Sequence, residues 1–218
     1  MTSVSGSTTC NSIALEPLHS DITVIYVLGG PGAGKGTLCA EVTREFQIKH
    51  LSVGDVLRNE RDTPGTKYGE LIARNMEEGR IGPMEVTVHL YNGATNAARQ
   101  NDDINAFLID GFPRKMDQLQ LFESTLSRVA LALFLDSSED IRRERLYKRA
   151  KLESRLDDTV DIIQKRFQRF NDTCMAVINY LEGEGRVEAI VADGDINSVY
   201  SDVIHALQNF LQDDLKRR

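Results

Sequence analysis

The sequence predicts an α/β fold: a five-stranded parallel sheet with helices on both faces, carrying a helical insertion and a short lid. Three observations support that expectation. Five short apolar, β-branched runs alternate with stretches of helical spacing, as in sheets built from strand–helix–strand units. The first run leads at once into a glycine-rich turn and a helix. Between the second and third runs lie roughly 50 residues, where a simple crossover needs about a dozen.

Taken in order, the first 21 residues hold Ser and Thr but no Lys or Arg. They lack the basic start of a secretory signal and the arginines of a transit peptide, and read as a flexible tail ahead of one domain over 22–218. From Ile22, ITVIYVL is a continuous β-branched run bounded by Asp21 and Gly29, the pattern of a strand buried on both faces. Lys35 to Phe46 reads as a helix, with Leu38, Val42 and Phe46 on one stripe. The other strands are expected at His50–Val53, Ala106–Ile109, Val129–Leu135 and Arg186–Val191. Between Gly54 and Asn105, Leu57, Leu71, Ile72, Met76, Val86, Val88 and Leu90 suggest short amphipathic helices. The insertion proper, about 54–83, could close over a ligand. A second excursion, about 149–158, has room for a short lid only.

Composition narrows the function. The chain is 41% hydrophobic and 27% charged, with only 5 Pro, so it can bury a core and is not a disordered polymer. Its net charge of −7 argues against a general nucleic-acid binder, which must neutralise many phosphates. No apolar stretch approaches the length that spans a bilayer, so no membrane partner is expected. Cys10, Cys39 and Cys174 are odd in number, without any C-x-x-C pair. That argues against a disulfide framework or structural zinc site and points to a reducing, cytoplasmic compartment, with nuclear entry left open.

The chemistry begins with Gly29-Gly30-Pro31-Gly32-Ala33-Gly34-Lys35-Gly36-Thr37. This is G-x-x-x-x-G-K with Gly36 where Ser or Thr is usual and the hydroxyl one place later. Glycines let successive N–H groups turn toward a polyphosphate, the following helix adds its positive end, and Lys35 supplies a mobile charge. The third strand ends in Asp110, within FLIDGFPR, where a carboxylate can hold the waters of a Mg²⁺ bridging phosphates. Arg114, just past the Gly-Phe-Pro turn, can set its guanidinium fork on a phosphate. Between Arg142 and Arg169 stand ten basic side chains against five acidic ones. Arg149, Arg155 and Arg166 flank the lid, where they can neutralise charge spread over a transferring phosphoryl group.

These motifs, together with HLSVGDVLR (His50 to Arg58), GRIGPMEVT (Gly79 to Thr87), RLYKR (Arg145 to Arg149) and SRLDD followed by QKRFQRF (Ser154 to Phe170), resemble the nucleoside monophosphate kinases of the adenylate kinase family. They are similar in particular to the eukaryotic, fungal-like uridylate (UMP/CMP) kinases, and the resemblance runs from about Ile22 to Leu211. It implies a P-loop NTPase-type fold with a monophosphate-binding insertion. The implied activity is magnesium-dependent transfer of the ATP γ-phosphoryl to a pyrimidine nucleoside 5′-monophosphate by a monomer. The implied ATP site is Gly30, Pro31, Gly32, Ala33, Gly34, Lys35, Gly36 and Thr37, with Arg145 flat on the adenine and Gly194 offering its carbonyl. Arg58, Ile81, Gly111, Arg114 and Gln118 would hold the acceptor, with Gln118 on its base. Arg149, Arg155 and Arg166 would surround the migrating group, Asp110 would position hydrated Mg²⁺, and Asp157 and Asp158 would latch the lid.

The chain also departs from that pattern. Leu38 replaces a usual Gln, and Val53 and Gly82 replace the usual residues of the base pocket. Ala150 and Ser154 replace lid glycines, removing backbone freedom where closure needs it. An AMP-accepting adenylate kinase stays open as the neighbouring reading, because the Gln118 amide can pair with either kind of base. A silent nucleotide-binding regulator is the more distant one, since a pure binder has no need of a second phosphate site. His19, His50, His89 and His205 match no catalytic spacing and are expected to be structural or solvent-facing.

Overall fold

The computed structural model describes residues 22–78, 80–102, 104–152 and 159–217. Five parallel strands, β1 (Thr23–Leu28), β2 (Lys49–Ser52), β3 (Ala106–Asp110), β4 (Val129–Asp136) and β5 (Val187–Val191), form one sheet in the order β2-β3-β1-β4-β5. The expected α/β class is thus the observed one. Alternation along β1 divides the core. Val24, Tyr26 and Leu28 pack on one face with Val88 and Tyr91 of α4 (Met84–Asp102), Phe122 of α5 (Met116–Thr125) and Leu181 of α8 (Met175–Gly183). Ile25 and Val27 pack on the other with Leu38 and Val42 of α1 (Lys35–Glu45) and Val203 and Leu207 of α9 (Ile196–Arg217). Helices on both faces explain why β1 reads as an unbroken apolar run. Tyr26, Tyr91, Phe112 and Phe122 form an aromatic cluster with ring centroids 5.3 to 6.3 Å apart, so the GFPR turn is anchored through Phe112 in the main core.

The insertion holds α2 (Val53–Asp62) and α3 (Gly69–Glu77), packed on one another, before α4 returns the chain to the sheet. Val53 differs from the expectation. It begins α2 where its β-branched side chain suggested the end of a strand. β2 lies at the sheet edge and its pairing ends with Ser52 opposite Asp110; past that register the chain has no partner strand and turns into a helix, so tertiary context overrides propensity.

Near the lid, α6 (Glu139–Leu152) takes in residues 149–152, consistent with Ala at position 150, the strongest helix former. Residues 153–158, with Ser154, Arg155, Asp157 and Asp158, lie outside the described residues, as does the tail 1–21. After α7 (Val160–Arg169), a π-helical turn over Phe170–Cys174 leads into α8. Such turns often mark functional sites, and both end residues of this one, Phe170 and Cys174, line the cleft described below. No helix among the described residues is long and apolar enough to cross a membrane.

Candidate active site

A cleft of about 1060 Å³ opens at the carboxyl ends of the strands, where open parallel α/β sheets bind ligands. Its floor is the turn between β1 and α1. Gly32 and Gly34 take φ values of 83° and 92°, a region that favours glycine, and Gly34 is the N-cap of α1. Pro31 to Thr37 all line the cleft, including the displaced Thr37 hydroxyl, while Gly30 is buried behind it. The half-buried Lys35 donates through Nζ to the carbonyls of Gly29 and Gly30, each at 2.9 Å. Burial holds its ammonium below the usual lysine range, with Asp110 opposing the shift and Arg166 and Arg114 adding to it. Lys35 is therefore a desolvated cation that shares its surroundings with one anion, Asp110, and two further cations, Arg166 and Arg114.

Asp110 closes β3 directly between the neighbouring strands, opposite Val27 of β1 and Ser52 of β2. It is 8% exposed. Burial alone would raise its carboxyl, but His50, Lys35 and Arg114 outweigh that and hold it below the ordinary aspartate range. Its Oδ1 has no hydrogen-bond partner among the described residues. His50 Nε2 stands 3.7 Å from Oδ2, too long for a hydrogen bond. His50 lines the cleft, correcting the expectation that all four histidines are structural or solvent-facing. His89 and His205 are exposed, and His19 lies outside the described residues. The signal in the sequence was positional: His50 stands near the carboxyl end of a parallel strand, where ligands gather.

Across the cleft, Arg58 of α2 folds over Gly54, whose missing side chain leaves room for the guanidinium, and pairs with Asp55 at 2.5 Å. Arg114 is fixed from three directions. Its Nε donates to Gly111 O at 2.8 Å, its backbone N–H donates to Gln118 Oε1 at 2.7 Å, and its carbonyl accepts from Cys174 Sγ at 3.5 Å. Gly111, at φ 75°, lies against Val53, and both line the cleft. Gln118 does not; it is 3% exposed and braces the turn from behind. Ile81 and Gly82 are also outside the cleft wall.

At the other end, Arg145 donates to the carbonyls of Ala192 and Gly194 at 2.9 and 3.1 Å, bringing together two residues far apart in the chain. Arg149 and Arg166 line the cleft as well, joined by Arg80, Arg169 and Cys174, which sequence reasoning missed. Arg80 and Arg169 were hidden because each stands in a motif or charge run whose other members drew the reading, and nothing in the spacing says which arginine faces a ligand. Cys174 reaches the cleft through the π-helical turn, which spacing does not reveal.

Asp110 fits a hydrated magnesium ion: it is an ionised oxygen donor with an unmet lone pair facing a cationic loop. Among the described residues no three His, Cys, Asp or Glu side chains converge to hold a metal by themselves. That suits Mg²⁺, which is commonly held by one or two carboxylates, waters and substrate phosphates.

Residues 27–186 match the family model described as adenylate kinase. The chain is 45% identical over 192 residues to "Uridylate kinase" of Saccharomyces cerevisiae, covering 87% of this chain and 93% of that protein. It is 42% identical over 200 residues to "UMP-CMP kinase" of Lentinula edodes, covering 88% of each. With "UMP-CMP kinase" of Mus musculus the identity is 40% over 187 residues, 83% of this chain and 94% of that protein. A phosphate loop facing a second cluster of arginines and a match of this extent lead to one conclusion: the chain belongs to the adenylate kinase family.

Proposed function

We propose that the protein transfers the γ-phosphoryl group of ATP to a pyrimidine nucleoside 5′-monophosphate, UMP or CMP, giving the nucleoside diphosphate and ADP. One observation carries this reading: a single cleft holds two cationic clusters, the Lys35 loop and the Arg58–Arg114 pair, with ionised Asp110 between them. A nucleotide binder without chemistry needs only the first.

In the reaction an oxygen of the acceptor phosphate attacks the γ-phosphorus and the bond from that phosphorus to the β,γ-bridging oxygen breaks. The acceptor is already an anion, so no general base is required and alignment with charge neutralisation suffices. The N–H groups of Gly32 to Thr37 and the start of α1 hold the donor phosphates. Lys35 exchanges its two loop carbonyls for phosphate oxygens. Arg58 and Arg114 orient the acceptor, and Arg149 and Arg166, with Arg155 from the lid, meet the charge spread over the moving group. Arg145 lies against the adenine, where its guanidinium plane can stack. Asp110 would hold the waters of Mg²⁺, which when bound screens the phosphate charge.

The test identifies products. Purified protein with Mg-ATP and UMP or CMP should form ADP and UDP or CDP in equal amounts, resolved by anion-exchange chromatography. ATP hydrolysis without phosphorylated acceptor, or no reaction, contradicts the proposal.

A further inference from the structure

Behind the phosphate loop lies a charge that the mechanism above does not use. Arg142, on α6, is 7% exposed and does not line the cleft. Its Cζ stands 5.1 Å from the Phe167 ring centroid and 5.2 Å from that of Phe170. On its other side is the loop itself. A Cβ added to Gly30 would fall 1.5 Å from Arg142 Nη1, and one on Gly32 would fall 2.4 Å from the Arg142 carbonyl oxygen. The guanidinium is thus clamped between the loop and two aromatic rings. Its Nε and Nη1 are buried with no hydrogen-bond partner among the described residues.

Such a group is costly. A guanidinium stays charged under ordinary conditions, and a buried cation with unmet donors destabilises a fold unless something compensates. The aromatic faces offset part of this, and the charges of Glu139, Asp136 and Asp193 offset some of the rest. A methionine or leucine in the same space would avoid the cost, so packing alone gives no reason for an arginine. The opposite side of the same loop is where a polyanion is expected. When Lys35 leaves the carbonyls of Gly29 and Gly30 for that polyanion, the loop loses two hydrogen bonds, one of them at Gly30, the residue against which Arg142 Nη1 rests.

We infer that Arg142 is a positioning residue for the donor nucleotide: from behind Gly30 its fixed charge favours the phosphate-bound state of the loop, without touching ATP. It also joins the loop to Phe167 and Phe170, which flank the cleft residues Arg166 and Arg169. The inference rests on the reading of Gly29–Thr37 as the seat of the ATP phosphates.

The test compares the full chain with Arg142→Met, Arg142→Gln and Arg142→Lys, by calorimetric binding of a non-hydrolysable ATP analogue with Mg²⁺ and by steady-state kinetics. Removing one fixed charge acting through partly screened protein corresponds to a loss of about 5- to 10-fold in affinity. Arg142→Met and Arg142→Gln should weaken analogue binding and raise the KM for ATP by that factor, with the KM for the monophosphate changed less than about 2-fold. Arg142→Lys, keeping the charge, should recover most of the loss. If Arg142→Met does not fold, Arg142→Gln carries the comparison. Wild-type affinity in the neutral variants, equal effects on both substrates, or a lysine variant as weak as the neutral ones would overturn the inference. Failure of the wild-type chain to bind the analogue would instead overturn the reading of the loop.

Discussion

Lys35 is tied to two loop carbonyls and not to the core, so Lys35→Met should leave the melting temperature nearly unchanged while turnover falls by about 10³-fold or more, the scale of a lost charge stabiliser. Near-normal turnover in a coupled ADP assay would remove the loop from the chemistry. Arg58 and Arg114 stand on the opposite wall, and losing either charged contact should cost roughly 1.5 to 3 kcal/mol. That loss should appear as a higher KM for the monophosphate with little change for ATP; equal weakening of both in steady-state kinetics would mean the two subsites are wrongly divided. Side chains of this kind were legible because their motifs fix them to a turn or a strand end: Lys35, Asp110, Arg58, Arg114, Arg145 and Arg149 all line the cleft. His50 and Cys174 were not, since each matters through a contact that the fold creates. Gln118 shows the reverse case, a motif residue that the packing turns toward the backbone of Arg114.

Among elements, the phosphate loop is held by its docking on α6 as much as by its own conformation. Gly32 and Gly34 both have positive φ, but only Gly32 meets a neighbour, the Arg142 carbonyl; around Gly34 there is open space. Gly34→Ala should therefore cost only the left-handed strain, about 1 to 2 kcal/mol. Gly32→Ala adds overpacking of roughly 1 to 3 kcal/mol more. Urea unfolding should separate them, and equal losses would show that the loop is not seated on α6 as described. At the other end of α6, Ala150→Gly should cost about 0.5 to 1 kcal/mol of helix stability. It should alter turnover more than either KM, because a lid contributes chiefly when closed. Unchanged turnover would deprive this alanine of functional meaning. The strands and their alternation with helices were legible from short apolar runs, even for β2, which holds no β-branched residue. The start of α2 at Val53 and the extension of α6 through residues 149–152 were not, because both depend on where partner strands and packing end.

For the whole molecule, acceptor choice depends on how the insertion and the GFPR turn meet. Val53, 5% exposed, lies against Gly111 and lines the cleft. Its side chain fills space and offers no hydroxyl to an adenine. Gly82, which the sequence placed in the base pocket as a source of extra room, is not part of the cleft wall. A smaller pyrimidine base is favoured, through fit and not through an unpaired buried group. Differences of fit are worth on the order of 1 to 3 kcal/mol, or about 10- to 200-fold. The direct measurement is the specificity constant, kcat/KM, for UMP, CMP and AMP in turn at fixed Mg-ATP. UMP and CMP should exceed AMP by that factor, with AMP still a measurable acceptor; AMP outperforming both pyrimidine monophosphates would contradict the account.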